Sequence, residues 1–219
     1  MNINKMLPSD TFENKVILIT GGGTGLGKSI GHHLIGLGAK LIITSRKKEV
    51  IEKTANEFNK EYPDSTLFVA GDVREINDVE SVINEGFDKF GKIDMLINNA
   101  AGNFISPTER LSTNAFSVII DIVLKGTCNF TITLGKKWIK NKINGNILNI
   151  ATTYAMTGSG YVVPSAAAKG GVLTFTKSIA AEWAKYNIRC NAIAPGPFPT
   201  KGAWDRLFPK PFRPFVDPK

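Results

Sequence analysis

With 219 residues, 42% of them hydrophobic and 21% charged, the chain can bury one sizeable core and is too short for two ordinary domains. Its net charge of +8 is scattered over Arg46-Lys47-Lys48, Lys136-Lys137, Lys140 and Lys142, with no aromatic-laced basic block, so solvated helix faces are expected and a nucleic-acid surface is not. A positive surface of this kind would also suit a multiply phosphorylated small molecule.

Residues 1–14 read as an irregular lead-in with turn chemistry at Pro8-Ser9-Asp10, and they carry neither a signal-peptide core nor an arginine-rich amphipathic presequence. Val16-Ile17-Leu18-Ile19 is an apolar run of the kind that forms a buried parallel strand. It leads into Thr20-Gly21-Gly22-Gly23-Thr24-Gly25-Leu26-Gly27, after which Ile30, Leu34 and Leu37 recur at helical spacing. Strand, glycine turn, helix is the order a dinucleotide site requires. A pyrophosphate must approach bare backbone at a helix N-terminus, and a Cβ at Gly21, Gly25 or Gly27 would hold it off. A glycine-rich turn by itself is compatible with a mere tight connection; the flanking strand and helix favour the nucleotide.

Further on, Lys40-Leu41-Ile42-Ile43-Thr44 reads as a second strand, residues 49–61 as a helix closed by Pro63, and Thr66-Leu67-Phe68-Val69-Ala70 as a third strand. Val79, Val82, Ile83, Gly86, Phe87 and Phe90 form a helical stripe closed by Gly91. Met95-Leu96-Ile97 is a fourth strand, residues 113–140 a long helix, 146–150 a fifth strand, 166–185 an alanine-rich helix and 188–193 a sixth strand. Six such repeats predict an α/β fold: one Rossmann-like, doubly wound parallel sheet in a single domain, with ligands at the carboxyl ends of the strands. Cys128 and Cys190 read as small buried hydrophobes of a reducing compartment, and the adjacent His32 and His33 point to different helix faces, so no metal site is expected. No apolar run is expected to reach the length of a membrane span.

The polar clusters fall at strand ends. The second strand closes in Thr44-Ser45-Arg46-Lys47, with cations where an NAD enzyme usually has a carboxylate for the ribose hydroxyls; Arg46 would pair with a 2′-phosphate, which favours NADPH. A plain basic loop is the alternative. Asp72, just after the third strand, is placed to accept from an adenine amino group or to cap the following turn.

Gly21-x3-Gly25-x-Gly27, the segment Asn98-Asn99-Ala100-Ala101-Gly102, the turn Pro195-Gly196-Pro197 and a tyrosine paired with a lysine together resemble the short-chain dehydrogenase/reductase superfamily. Most members carry Tyr-x3-Lys on one helix, but Ser165 stands four residues before Lys169, and the aromatic candidates are Tyr154 and Tyr161. The run 151–165, the stretch 102–111 and the stretch 195–207 are similar to 2,4-dienoyl-CoA reductases of the mitochondrial type. That resemblance implies NADPH-dependent reduction of a 2,4-dienoyl-CoA to a 3-enoyl-CoA in the β-oxidation of unsaturated fatty acids, in mitochondria, by a homo-oligomer in the family. It implies Tyr154 and Asn103 as donors to the thioester carbonyl, Lys169 as ligand of the nicotinamide ribose, and Ser165 in support. Around the cofactor it implies Gly21, Gly25, Leu26, Gly27, Arg46, Asp72, Asn99, Pro195, Gly196 and Phe198, and around the acyl-CoA substrate Arg74, Phe104, Ser112 and Arg206. Val123 stands where most members have the asparagine of a proton relay, which agrees with a reaction that interconverts no alcohol and ketone.

The resemblance ends near residue 207, giving an expected lead-in over 1–14, a cofactor-binding domain over 15–207 and a divergent proline-rich tail over 208–219. Four prolines in that tail exclude a helix or an interior strand. The last strand and the substrate-covering helices of the family are therefore expected to be absent, leaving 188–193 as an exposed edge prone to aggregation. Two other functions stay open: an inactive or regulatory NADPH-binding fragment, and a reductase of the same superfamily acting on a carbonyl or alcohol.

Overall fold

A computed structural model of the chain describes residues 7–196 and residue 198. The expected tail and residues 199–207, with Arg206 among them, lie outside the described residues, as does Pro197. The elements are β1 (Val16–Thr20), α1 (Gly25–Ile35), β2 (Lys40–Ser45), α2 (Lys48–Glu61), β3 (Thr66–Ala70), α3 (Ile76–Phe90), β4 (Met95–Asn98), α4 (Thr113–Ile120), α5 (Gly126–Asn141), β5 (Gly145–Ile150), α6 (Tyr154–Thr157), α7 (Val163–Trp183) and β6 (Ile188–Ile193). All strand pairs are parallel, in the order β3-β2-β1-β4-β5-β6. The order reverses between β1 and β4, which opens a crevice at their carboxyl ends.

Both faces of the sheet are covered, and β1 shows why its sequence is uninterrupted in its apolarity. Val16 and Leu18 join one core with Ile42, Val79, Val82, Phe130, Trp138 and Trp183, while Ile17 and Ile19 join the other with Leu41, Ile43, Ile51 and Phe58. Successive side chains point to opposite faces, so a strand buried on both sides is apolar throughout. The stripe on α3 buries Val79, Val82, Ile83 and Gly86, and Gly91 closes the helix with φ 75°, its N–H bonding Phe87 O at 2.7 Å. Among the described residues β6 pairs with β5 alone.

The long expected helix is continuous from Thr113 to Asn141, but its middle turn, Asp121–Lys125, is π-helical. One 18-residue window of this helix reaches a mean hydropathy of 1.5, a value that the core helix of a folded domain also attains, and Asp121 and Lys125 interrupt any continuous apolar run. Its apolar face is folded onto the protein: Ile119 and Val123 pack against Ala168 and Val172, and Phe130, Leu134 and Trp138 enter the sheet core.

Candidate active site

At the crevice, Gly21 and Gly25 have φ of 67° and 53°, a region that L side chains avoid. The N-cap residue Thr24 makes no side-chain cap and no acidic residue occupies the first turn of α1, so among the described residues its leading N–H groups are open to an anion. The reason for glycine at position 27 differs from the expected one. A Cβ there would come within 2.4 Å of Gly21 O and 2.6 Å of Asn99 Nδ2, so the demand comes from the turn packing on itself before any ligand arrives.

Asn99, expected beside the cofactor, braces this turn. Its Nδ2 donates to Thr20 O at 3.0 Å and Gly21 O at 3.1 Å, while Thr20 Oγ1 accepts from the N–H groups of Asn99 and Ala100. Leu26 is half-buried against the core residues of the α1 side. Sequence reasoning missed Thr20, whose hydroxyl at the end of an otherwise apolar strand was the available signal.

Arg46 is mostly exposed at the end of β2, with Nη1 3.9 Å from Asp72 Oδ2. Asp72, expected to meet adenine, is already engaged by Arg74. Oδ1 accepts from the Arg74 backbone N–H and from Nε, each at 3.0 Å, and Oδ2 accepts from Nη2 at 2.6 Å. This fork, chiefly the side-chain hydrogen bonds, holds the Asp72 carboxyl below its usual pKa and raises that of Arg74. A carboxylate has about four acceptor positions, so little capacity is left for adenine.

Across the crevice, three residues from three segments converge. Tyr154 opens α6, its hydroxyl 3.0 Å from Ser165 Oγ, and Asn103 Nδ2 lies 3.4 Å from the same hydroxyl. Asn103 is oriented by its own Oδ1, which accepts from Phe104 N at 2.9 Å and so turns the amide nitrogen toward Tyr154. Ser165 is buried in the first turn of α7, and Lys169 follows one turn later, 6% exposed. Lys169 Nζ donates to the carbonyl of Ile150 at the end of β5, and burial lowers its pKa to about 8. Tyr161, the other aromatic candidate, is 62% exposed with φ 64°, and its carbonyl accepts from Ser106 N at 2.9 Å.

The remaining candidates divide. Phe104 is half-buried against Ile119, Val123, Ala168 and Val172. Ser112 caps α4, its Oγ accepting from Ala115 N at 3.1 Å. Pro195 O accepts from Thr153 N at 3.3 Å, which ties the segment after β6 to the turn before Tyr154; Gly196 and Phe198 are exposed. Beneath the site runs a buried chain that sequence reasoning did not name. Asn98 Nδ2 donates to Asn149 Oδ1 at 2.8 Å and to Thr131 Oγ1 at 2.9 Å, and Asn149 Nδ2 donates to Thr176 Oγ1 at 2.8 Å. Polar residues inside apolar strands were its signal. Among the described residues no cluster of His, Cys, Asp and Glu could hold a metal.

The sequence pattern of short chain dehydrogenases matches residues 15–207. The chain belongs to the short chain dehydrogenase family. A probable 2,4-dienoyl-CoA reductase of Caenorhabditis elegans, named as (3E)-enoyl-CoA-producing, is 47% identical over 92% of this chain and 66% of its own length. A probable 2,4-dienoyl-CoA reductase of Bacillus subtilis, named as (2E)-enoyl-CoA-producing, is 43% identical over 90% of this chain and 77% of its own. The chain spans about two thirds of the length of three curated Caenorhabditis elegans relatives.

Among solved structures, a short chain dehydrogenase of Bacillus anthracis is 48% identical, with a TM-score of 0.82 over 84% of this chain and 74% of that one. A 3-ketoacyl-(acyl-carrier-protein) reductase of Brucella melitensis complexed with NADH is 32% identical, with a TM-score of 0.81 over 86% of this chain and 78% of that one. A Danio rerio relative, 35% identical over 90% of this short chain dehydrogenase and 66% of its own length, is named peroxisomal. The expected mitochondrial location finds no support in these names.

Proposed function

We propose that this short chain dehydrogenase is an NADPH-dependent reductase of 2,4-dienoyl-CoA thioesters that yields the 3-enoyl-CoA. One observation carries the reading: the Tyr154 hydroxyl stands within hydrogen-bonding reach of both Asn103 Nδ2 and Ser165 Oγ, while no tyrosine precedes Lys169 by four residues. A carbonyl reductase of this superfamily would be expected to have its tyrosine there.

The uncapped N-terminus of α1 and the positive-φ glycines fit a pyrophosphate, and Arg46 fits a 2′-phosphate. When bound, NADPH supplies the hydride, which adds to the far end of the conjugated system. Negative charge then gathers on the thioester oxygen as a dienolate. Tyr154 and Asn103, held before substrate arrives, donate to that oxygen and stabilise the charge by about 3 kcal/mol each. Ser165 fixes the direction of the Tyr154 O–H. A proton returns at the α-carbon and leaves the double bond at the 3-position. Phe104 serves the acyl or pantetheine chain, and Lys169 the nicotinamide ribose, after turning from the Ile150 carbonyl.

The relatives' names divide between 3-enoyl and 2-enoyl products, so the product tests the mechanism directly. Purified chain, NADPH and a 2,4-dienoyl-CoA are expected to give the 3-enoyl-CoA by NMR. A 2-enoyl product would refute protonation at the α-carbon, and absence of turnover would refute the assignment.

A further inference from the structure

The loop that carries Arg74 is tied down at every residue. Asp72 N donates to Asp78 Oδ2 at 2.9 Å, and Glu75 N donates to Asp72 O at 3.0 Å. Val73 lies against the bare backbone of Gly126, where an added Cβ would come within 2.5 Å of Val73 Cγ2. From α5, Asn129 Nδ2 donates to Val73 O at 2.9 Å and to Arg74 O at 3.3 Å. The side chain is then gripped by the Asp72 fork, which uses Nε and Nη2. Among the described residues Nη1 donates to no protein acceptor, and the side chain is 31% exposed.

Such a guanidinium has lost its freedom before any ligand arrives and keeps a planar edge of N–H groups for one. That is the requirement for tight, directional capture of a phosphate, because the ordering of a long side chain otherwise opposes binding. The loop is not a region of high positive potential: Asp72, Glu75 and Asp121 all act on Arg74, with Arg46 the nearby cation. An anion here must be held by aimed hydrogen bonds more than by bulk charge, so the aim is what matters.

We propose that Asp72 and Asn129 are positioning residues that present the Arg74 guanidinium to a phosphate of the substrate's coenzyme A half; this rests on the dienoyl-CoA reading above. Asn129 lies in the long helix, and its contacts give it a task 55 residues away along the chain.

The test uses the full chain and two substrates with the same acyl group: the dienoyl-CoA, and the dienoyl thioester of N-acetylcysteamine, which has no phosphate. Asn129→Leu keeps the volume and removes the donor. It is expected to raise KM for the CoA thioester about tenfold while leaving kcat, the KM of the truncated thioester and the Kd for NADPH within about twofold. Arg74→Met should show the same selective loss, and the double variant should lose no more than Arg74→Met alone. Asp72→Asn provides a second variant should Asn129→Leu fail to fold.

An unchanged ratio of the two KM values in Asn129→Leu or Asp72→Asn, with Arg74→Met affected, overturns the positioning role. An unchanged ratio in Arg74→Met overturns the phosphate site. If the wild-type chain does not reduce dienoyl-CoA, the reaction assignment falls separately, and calorimetry with adenosine 3′,5′-bisphosphate reads the site. Binding about tenfold weaker in Asn129→Leu supports the proposal, and equal binding overturns it.

Discussion

The Tyr154 hydroxyl lies 3.0 Å from Ser165 Oγ, so a serine supports, from the first turn of α7, a tyrosine that arrives on a different helix. In the proposed mechanism the two residues divide what one side chain on α7 would do alone. If Tyr154 is an oxyanion donor, Tyr154→Phe should lower kcat about 10²- to 10³-fold, with NADPH binding by fluorescence unchanged. Ser165→Ala removes only an orienting partner and should lower kcat about fivefold. Steady-state rates decide, and a larger loss from Ser165→Ala would refute the assignment of roles.

In the proposed reaction Asn103 is the second donor, and Phe104 N fixes which end of its amide faces Tyr154. Asn103→Asp keeps the shape but replaces the donor by a carboxylate oxygen next to developing negative charge. The expected result is a fall in kcat of about 10²- to 10³-fold with little change in KM for the acyl-CoA. A change confined to KM would make Asn103 a binding residue and leave the dienolate with one donor.

The strands and helices were legible because each apolar run has the length and period of its element, as the β1 residues divided between two cores show. The meeting of Asn103 and Tyr154 was not legible from spacing: they are 51 residues apart, and only the closing of β4 beside β5 brings their following loops together. Resemblance named both residues, and the structure places Asn103 Nδ2 3.4 Å from the Tyr154 hydroxyl. Resemblance did not supply the local alternatives that polar side chains find. Ser112 spends its hydroxyl on a helix cap, Asn99 on the glycine turn, and Asp72 on Arg74 two residues away. Such short-range choices depend on backbone direction within a loop, which composition and period do not encode.

The proposed preference for NADPH rests on Arg46, whose nearest acidic partner, Asp72 at 3.9 Å, is bound more closely by Arg74. Arg46 is thus available to a 2′-phosphate. Arg46→Ala should raise KM for NADPH about 10- to 100-fold and leave KM for NADH nearly unchanged, a preference measured by parallel titrations. The effect should shrink with added salt, since the side chain is mostly exposed. Equal effects on both cofactors would count against a 2′-phosphate contact.

Two glycine substitutions separate close packing from backbone conformation. Gly27→Ala must displace Gly21 O, a backbone atom, and should destabilise the fold by about 1–3 kcal/mol while weakening NADPH binding, because the displaced atom belongs to the cradle. Gly91→Ala meets nothing within 4 Å and suffers only from its φ of 75°, so about 1 kcal/mol is expected, with cofactor affinity unchanged. Urea denaturation with and without NADPH checks both. A Gly27→Ala protein with wild-type affinity would show that the turn can move without consequence.

Lys169 makes the sharpest prediction about pH. Burial lowers its pKa from 10.5 to about 8. Below pH 8 the ammonium is charged in both folded and unfolded chains, and the fold carries the full desolvation penalty. Between pH 8 and 10.5 the unfolded chain still holds the proton that the folded chain has released, so this group makes stability rise with pH; above 10.5 the penalty is gone. Lys169→Met removes the penalty at every pH and leaves the Ile150 carbonyl without its donor, a constant offset. The stability of the variant relative to wild type should therefore fall by about 3 kcal/mol between pH 7 and 10.5. Cys190, whose thiol is pushed up to about 12 by burial, is common to both proteins and cancels in the difference. Urea midpoints of the two proteins across this range measure it. A gap that stays constant would mean that Lys169 is solvated in the folded protein, and its bond to Ile150 would then be one of several positions it visits.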